Sequence, residues 1–199
     1  MQTQTHFLIT AALGHLGRRR AALPMHMPAL LVGSVLPDVP FALLSLLYGA
    51  YYRWIAPPAE GGDVHGMLHF NLFYTDPVWI IGHNTLHSLV VIGLLALVGT
   101  LAGRRGRRWG WPLVWFAVGA GLHTVVDIFT HHSDGPLFLF PLNWSYRFAS
   151  PLSYWEDAYY ADAVRLTEYA LSAVCLIYLA ASWFASRRQR RRSIHSERP

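Results

Sequence analysis

The sequence contains no lysine, a single cysteine and few charged residues of either sign. Because Cys175 stands alone inside an apolar run, the sequence excludes a disulfide framework and a cysteine-based metal site. Charged residues make up 14% of the 199 residues and hydrophobic residues 53%, a balance that is unusual for a soluble protein. A membrane protein is therefore the first class to consider, and any metal must be held by histidines and carboxylates.

The sixteen basic residues are all arginines, and most of them fall into three clusters, RRR at 18–20, RRGRR at 104–108 and RRQRRR at 187–192. Each cluster lies beside an apolar segment, which favours lipid headgroups as partners. No groove-reading motif accompanies the arginines, so no nucleic-acid partner is expected. The N-terminal charges follow the apolar stretch, the reverse of a secretory signal, so we expect this segment to be retained.

Apolar runs predict an all-α, polytopic helical membrane bundle with about four long membrane segments and a short N-terminal helix at 5–17. The prolines that flank Asp38 in "GSVLPDVP" remove backbone donors, so a helix break is expected there. The four long segments are 21–54 with this interruption, 78–102, 109–130 and 163–186.

Two stretches between these segments, 55–77 and 131–162, are rich in Pro, Gly, Asp and aromatic residues and are typical of loops or interfacial caps. Cytoplasmic loops carry an excess of arginine, so the arginine-rich ends, including the C-terminus, are expected in the cytoplasm and these two loops outside. We expect one membrane-embedded domain over 1–186, followed by a basic, disordered cytoplasmic tail over 187–199.

Several ionisable residues lie inside the predicted membrane segments, where each costs roughly 2.5–3.5 kcal/mol on insertion scales and marks a candidate functional site. His83 and His87 are four residues apart, as are His123 and Asp127, so each pair lies on one helix face. Counted from Arg105, His83 and Asp127 are equally distant in sequence, and so are His87 and His123. A helical hairpin that turns at Arg105 would therefore place these residues level with one another.

The same test applied to the first segment gives residue 22 as the midpoint between His6 and Asp38, beside an arginine cluster and Pro24. Two hairpins side by side would bring six side chains together near the outer membrane edge: His6, Asp38, His83, His87, His123 and Asp127. Histidines and aspartates without cysteine suit zinc or another borderline divalent metal, and six ligands could hold one or two ions. A metal-bound water with a pKa near 7 would be the catalytic nucleophile. No residue is identified as the general base.

The loop after these ligands carries His131, His132 and Asp134, which could be additional ligands, proton carriers or solvated loop residues. His65 and His69 are also four residues apart, but no hairpin places other polar side chains at the same height as this pair, and we assign it no role. Arg147 lies in an aromatic loop over 144–160 that either faces the substrate or anchors the chain at the headgroup level.

Four motifs, "THFLITAALG", "GSVLPDVP", "HNTLHS" and "HTVVDIFTHHSDGPLFLFPL", resemble those of the YdjM-like bacterial inner-membrane proteins, described as membrane-bound metal-dependent hydrolases. The resemblance covers roughly residues 5–155 and implies a multi-pass inner-membrane location and the same six polar positions. A weaker, motif-level similarity links the chain to zinc-dependent phospholipase C. Where the YdjM-like family commonly has an arginine, this chain has Asn84, a candidate substrate-facing residue together with Arg147.

The leading hypothesis is a metal-dependent hydrolase that acts on a phosphate ester or a lipid headgroup through metal-activated water. The alternative is a non-catalytic metal-binding membrane protein, or an ion or proton carrier that uses the same side chains. An intramembrane metalloprotease would need His-Glu-x-x-His, and Asn84 stands where that motif has the glutamate that acts as general base.

Overall fold

The computed structural model describes residues 1–20, 24–58 and 62–196, and side chains as far as residue 189. Within these ranges the chain forms helices and no strand, which confirms the predicted all-α class. A π-helical turn, Met67–Leu72, separates α4 from α5, and a 3-10 turn, Asp157–Tyr159, precedes α9. The α-helices are α1 Thr3–Arg20, α2 Met27–Gly33, α3 Asp38–Trp54, α4 Val64–Gly66, α5 Phe73–Thr75, α6 Pro77–Asn84, α7 Leu89–Arg104, α8 Gly110–Thr130 and α9 Ala161–Ser196.

Two helices among the described residues are long and apolar enough to cross a membrane by themselves, α8 and the part of α9 over Ala161–Gln189. Two further pairs pass the same test together, α2 with α3 and α6 with α7, and they are bent by 47° and 49° at short breaks. If each bent pair is one span, the total is four, which agrees with the four long segments predicted from sequence. The N-terminal helix α1 has 18 residues and is longer than predicted.

Both breaks have local causes. Pro37 has no N–H and stands directly before α3. At the second break, Ser88 caps α7, because its Oγ accepts the backbone N–H of Val91 at 3.2 Å. Each break leaves a ligand candidate at a helix end, Asp38 at the start of α3 and His87 between α6 and α7.

Helix α8 packs against α7, α2 and α1. Its approach to α2 requires glycine on both sides: a Cβ on Gly33 would lie 2.1 Å from the carbonyl oxygen of Phe116, and one on Gly119 would lie 2.1 Å from that of Leu30. The two backbones are therefore in direct contact. This contact brings Ser34, which follows α2, next to His123 on α8.

Helix α1 packs along α9 and runs parallel to it. In the first turn of α1 the hydroxyl of Thr5 lies 3.0 Å from that of Ser172 on α9, and further along His15 Nδ1 lies 3.0 Å from the hydroxyl of Tyr178. The start of α1 also contacts the last turn of α8, where His6 Nε2 lies 2.9 Å from Asp127 Oδ1.

Two regions differ from the sequence expectations. The stretch 55–77 contains helical residues from Val64 to Thr75, because Leu68 and Phe73 bury their side chains against Trp79. The tail expected to be disordered from 187 is instead helical through Ser196. Arginine is a good helix former, so the arginine-rich tail continues α9. The Arg187 guanidinium also lies 3.7 Å from the ring centre of Trp183. Residue 22, the predicted midpoint of the first hairpin, and residues 197–199 lie outside the described residues.

Candidate metal centre

Four of the six predicted ligands converge on one point. Asp38 comes from the start of α3, His87 from the break before α7, and His123 and Asp127 from consecutive turns of α8. Each offers one ligand atom, and these atoms all lie within 4.8 Å of one another. The two histidines and Asp127 are buried, whereas Asp38 is half-buried and lies on the open side.

Five of the six distances among these atoms are close to those of a tetrahedral ligand shell, and the sixth, between Asp38 and Asp127, is within 4.8 Å. His87 Nε2 and His123 Nε2 are 3.0 Å apart. His123 Nε2 lies 3.0 Å from Asp127 Oδ2 and 3.2 Å from Asp38 Oδ1, and His87 Nε2 lies 3.5 and 3.4 Å from the same two oxygens. A tetrahedral zinc with bonds of about 2.0–2.1 Å separates its ligand atoms by about 3.3 Å. The four residues therefore fit an ion of this size.

Backbone carbonyls orient both imidazoles. His123 Nδ1 lies 2.9 Å from the carbonyl oxygen of Ser34, and His87 Nδ1 lies 2.7 Å from that of His83. Because a carbonyl oxygen can only accept, each Nδ1 carries the proton and donates it. Each Nε2 then points at the centre, and in a neutral imidazole it presents its lone pair there, as in metal-binding histidines whose second nitrogen is hydrogen-bonded.

The cluster needs positive charge, either as protons on the two imidazoles or as a bound cation. With neutral imidazoles protonated at Nδ1, the two Nε2 atoms and the two carboxylates present four acceptors and no donor to one another. Four acceptors at 3.0–3.5 Å repel unless a positive charge lies among them. A divalent cation satisfies all four at once, and the set of two histidines and two aspartates suits zinc or a similar metal.

The first turn of α1 supports the carboxylates from outside the cluster. His6 Nε2 lies 2.9 Å from Asp127 Oδ1, and its ring stacks on His123 at 3.8 Å between ring centres. The hydroxyl of Thr3 donates to Asp38 Oδ2 at 2.5 Å, and the amino group of Met1 donates to Asp127 Oδ1 at 2.9 Å. His6 thus lies beside the four clustered residues and fixes the orientation of one of them.

His83 lies outside the cluster. Its ring contacts His87, Phe41 and Phe73, with centres 4.5, 5.3 and 4.9 Å apart, and both of its ring nitrogens are buried without a hydrogen-bond partner. The predicted register assumed a straight helix through residues 83–104. The 49° bend between α6 and α7 turns His83 away and leaves His87 facing both His123 and Asp127.

The three polar residues after α8 separate into different surroundings. His131 Nδ1 donates to the carbonyl of Asp127 at 3.0 Å, and burial lowers the pKa of His131. His132 donates to the carbonyl of Ser150 at 2.7 Å and stacks on Tyr159 at 3.4 Å between ring centres. Asp134 Oδ2 accepts the indole N–H of Trp155 at 3.0 Å.

Asn84 and Arg147 both make contacts that order the outer loop. Asn84 is fully buried, donates to the carbonyl of Ile80 at 2.8 Å and accepts the backbone N–H of Leu137 at 2.7 Å. Arg147 donates to the carbonyl of Gly135, and its guanidinium lies 4.9 Å from the ring centre of Phe73. Burial lowers the pKa of Arg147.

A cavity of about 450 Å³ opens from the cluster. Asp38 and Asp127 lie in its wall, together with His131, His83 and the pair His65 and His69, whose ring centres are 4.4 Å apart. The rest of the wall is largely aromatic. Tyr154 lies on this wall with its ring 4.8 Å from that of His131, and burial raises the pKa of Tyr154.

Sequence reasoning missed two features around the site. The first is the backbone carbonyl of Ser34, which accepts from His123; every residue has a carbonyl, so no side-chain pattern in the sequence could reveal this contact. Glu168 is buried on α9, where its Oε1 accepts the backbone N–H of Gln2 at 2.7 Å. An acidic residue inside the apolar run 163–186 was a usable signal for Glu168, since such residues are rare in membrane segments.

Comparison with known proteins identifies the family. A family model described as YdjM inner membrane protein matches residues 1–189. The chain belongs to the YdjM inner membrane protein family. Membership confirms the resemblance found in the sequence motifs and, with the apolar helices, supports an inner-membrane location. No curated protein and no solved structure matches the chain.

Proposed function

We propose that this YdjM family member is a metal-dependent hydrolase of the inner membrane that acts on a phosphate ester, with zinc as the metal. The observation that carries the proposal is the convergence of Asp38, His87, His123 and Asp127, each with one possible ligand atom, at the end of a cavity. A purely structural role for this cluster would not require a cavity of about 450 Å³ that reaches two of the four residues.

The ligand count supports one ion. Within 1–20, 24–58 and 62–196, the four residues form a single group of the kind that binds a metal, and His6 and His83 lie outside it. A divalent ion held there would lower the pKa of water and polarise a phosphoryl oxygen. The chain's own part is to hold the ion through two oriented imidazoles, to fix Asp127 through His6, and to admit the ester through the aromatic cavity.

The proposed orientation puts the metal centre near the outer face of the membrane. The start of α1 and the last turn of α8 meet at the cluster end, and Glu168, two turns into α9, contacts the start of α1 there. At the opposite side, the arginines at 18–20 end α1, those at 104–108 join α7 to α8, and those at 187–188 lie in the C-terminal part of α9. Since arginine-rich ends stay in the cytoplasm, this arrangement favours a cytoplasmic C-terminus and an outward-facing cavity.

A turnover assay tests the proposal. The detergent-purified protein is assayed with a chromogenic phosphodiester and with phospholipid micelles, before and after chelation and after zinc is restored. We expect hydrolysis that chelation abolishes and zinc restores. Asp127→Asn should lose it, whereas Asp157→Asn, which changes an exposed acid of the outer loop, should keep it. Zinc movement into vesicles without hydrolysis of any ester would overturn the proposal in favour of a carrier.

A further inference from the structure

One wall of the cavity carries a carboxylate that the metal centre does not use. Asp134 lines the cavity but does not belong to the four-residue cluster. Its Oδ2 accepts the indole N–H of Trp155 at 3.0 Å, and its Oδ1 is buried without a hydrogen-bond partner. A buried carboxylate oxygen without a partner is costly, so this atom is suited to receive a donor or a cation from a ligand.

Aromatic rings line the same cavity as this carboxylate. The rings of Phe70 and Trp155 come from separate parts of the chain, lie 6.1 Å apart between centres and are tilted by 37°. Tyr74 also lines the cavity, and its hydroxyl stays protonated because burial, and after it the charge of Asp134, raises the pKa of Tyr74. Aromatic faces beside one carboxylate are the chemistry that recognises an organic ammonium ion.

The cationic groups near Asp134 make their hydrogen bonds elsewhere. Arg147 donates to the carbonyl of Gly135 and lies over Phe73 and Tyr74, and Asp134 acts on Arg147 and His131 only through its charge. In the part of the chain that the structure describes, no ion pair within 4.0 Å includes Asp134. A second metal ion is not favoured here, because the described residues place no further group of three metal-binding side chains around Asp134.

We propose that the cavity selects a phosphate ester that also carries an ammonium group, with Asp134 and the rings of Phe70 and Trp155 receiving the ammonium. The phosphate end of this inference rests on the proposed function, in which the ester meets the metal centre beside Asp38 and Asp127. The cavity, about 450 Å³, lies within the range of roughly 300–1,000 Å³ that small-ligand sites occupy. It is large enough for a phosphocholine or phosphoethanolamine group.

The test is a binding measurement with matched probes. Calorimetry compares phosphocholine with glycerol 3-phosphate, which has the phosphate but no ammonium, on the zinc-loaded protein in detergent. We expect phosphocholine to bind about tenfold more tightly, the size of one desolvated cation–aromatic contact. Asp134→Asn should remove this preference without changing the zinc content, and Asp157→Asn should leave both unchanged. Equal affinities for the two probes in the wild-type protein would overturn the inference.

A second pair of variants covers the case in which Asp134→Asn does not fold. Trp155→Leu removes the aromatic face and should remove the preference, whereas Trp155→Phe keeps the face and should retain part of it. Equal preferences in these two variants and the wild-type protein would count against the pocket. Dihexanoyl phosphatidylcholine identifies the source: tighter binding than phosphocholine indicates a lipid headgroup, and equal binding indicates a soluble ester.

Choline alone separates this inference from the proposed function. Its binding to chelator-treated protein needs no metal and no phosphate, so it reports on the ammonium end only. If choline binds the wild-type protein and Asp134→Asn abolishes this binding, the result would support the pocket even if no ester is hydrolysed. Choline binding that is absent, or unchanged in Asp134→Asn, would overturn the pocket even if the protein proves to be a hydrolase.

Discussion

Two histidines one turn apart give the sharpest test of the metal centre. His87 directs Nε2 at the cluster, while His83 points its ring into an aromatic surrounding outside it. Replacing His87 by Phe should remove one of four ligands, and replacing His83 by Phe should remove none. The backbone carbonyl of His83, which accepts from His87, is present in both proteins.

The magnitude follows from the number of ligands. Zinc held by four protein ligands binds with an apparent free energy of about 10–16 kcal/mol at pH 7. One ligand of four accounts for a quarter of this, about 2.5–4 kcal/mol, which is a loss of about 10²–10³ in affinity. For His83→Phe we expect zinc affinity within about threefold of the wild-type value, because surroundings of Phe41 and Phe73 accept an aromatic ring.

The assay is competition between the detergent-purified protein and a chromophoric zinc chelator, with bound zinc counted by elemental analysis. The melting temperature is measured with and without zinc, because a ligand that binds only the folded state raises it. Zinc should raise the melting temperature of the wild type and His83→Phe but not that of His87→Phe. Equal losses of zinc in the two variants would refute the assignment, and so would full zinc content in His87→Phe.

Three further predictions concern the supports of the centre. Gly119→Ala places a Cβ 2.1 Å from the carbonyl oxygen of Leu30 and should push α2 and Ser34 away from His123, which should lower zinc affinity by about 10–100-fold. Gly93→Ala is the control, because a Cβ at Gly93 has nothing within 4 Å and should leave zinc affinity unchanged. Equal zinc titrations for the two variants would contradict this prediction. His6→Phe should keep the stacking on His123 but lose the contact to Asp127, so zinc affinity should fall by about 10–100-fold with the bound stoichiometry unchanged at saturation. Zinc affinity should fall as the pH falls, by up to about a hundredfold per pH unit, because protons compete for the two Nε2 atoms; a flat pH titration would exclude histidine ligands.

Equal spacing around Arg105 identified the pairing of His87 with His123, because α7 and α8 do form a hairpin there. The four-residue spacing of His123 and Asp127 likewise identified two groups on one face of α8. Both inferences use only helix geometry, which sequence spacing determines. The same spacing failed for His83, since a bend between α6 and α7 is decided by packing and by the Ser88 cap.

The rest of the site depends on contacts that have no local pattern. The carbonyl of Ser34 reaches His123 only because Gly33 and Gly119 let two backbones touch. Thr3 contacts Asp38 because α1 runs beside α8 and α9, an arrangement set by tertiary packing. The aromatic cavity combines residues from segments far apart in the chain, such as Phe70 and Trp155, so it emerges only when the fold is assembled.

If each bent helix pair is one membrane span, its bend would make the candidate metal centre responsive to the thickness of the bilayer. A span adapts to a thicker hydrocarbon layer by changing its tilt or its kink. Straightening the 47° bend would move the Ser34 carbonyl relative to His123, and straightening the 49° bend would move His87. The acyl chain length of the surrounding lipids would then act on the same hydrogen bonds that orient the two imidazoles, and the metal affinity of the proposed site would depend on the protein and its membrane together.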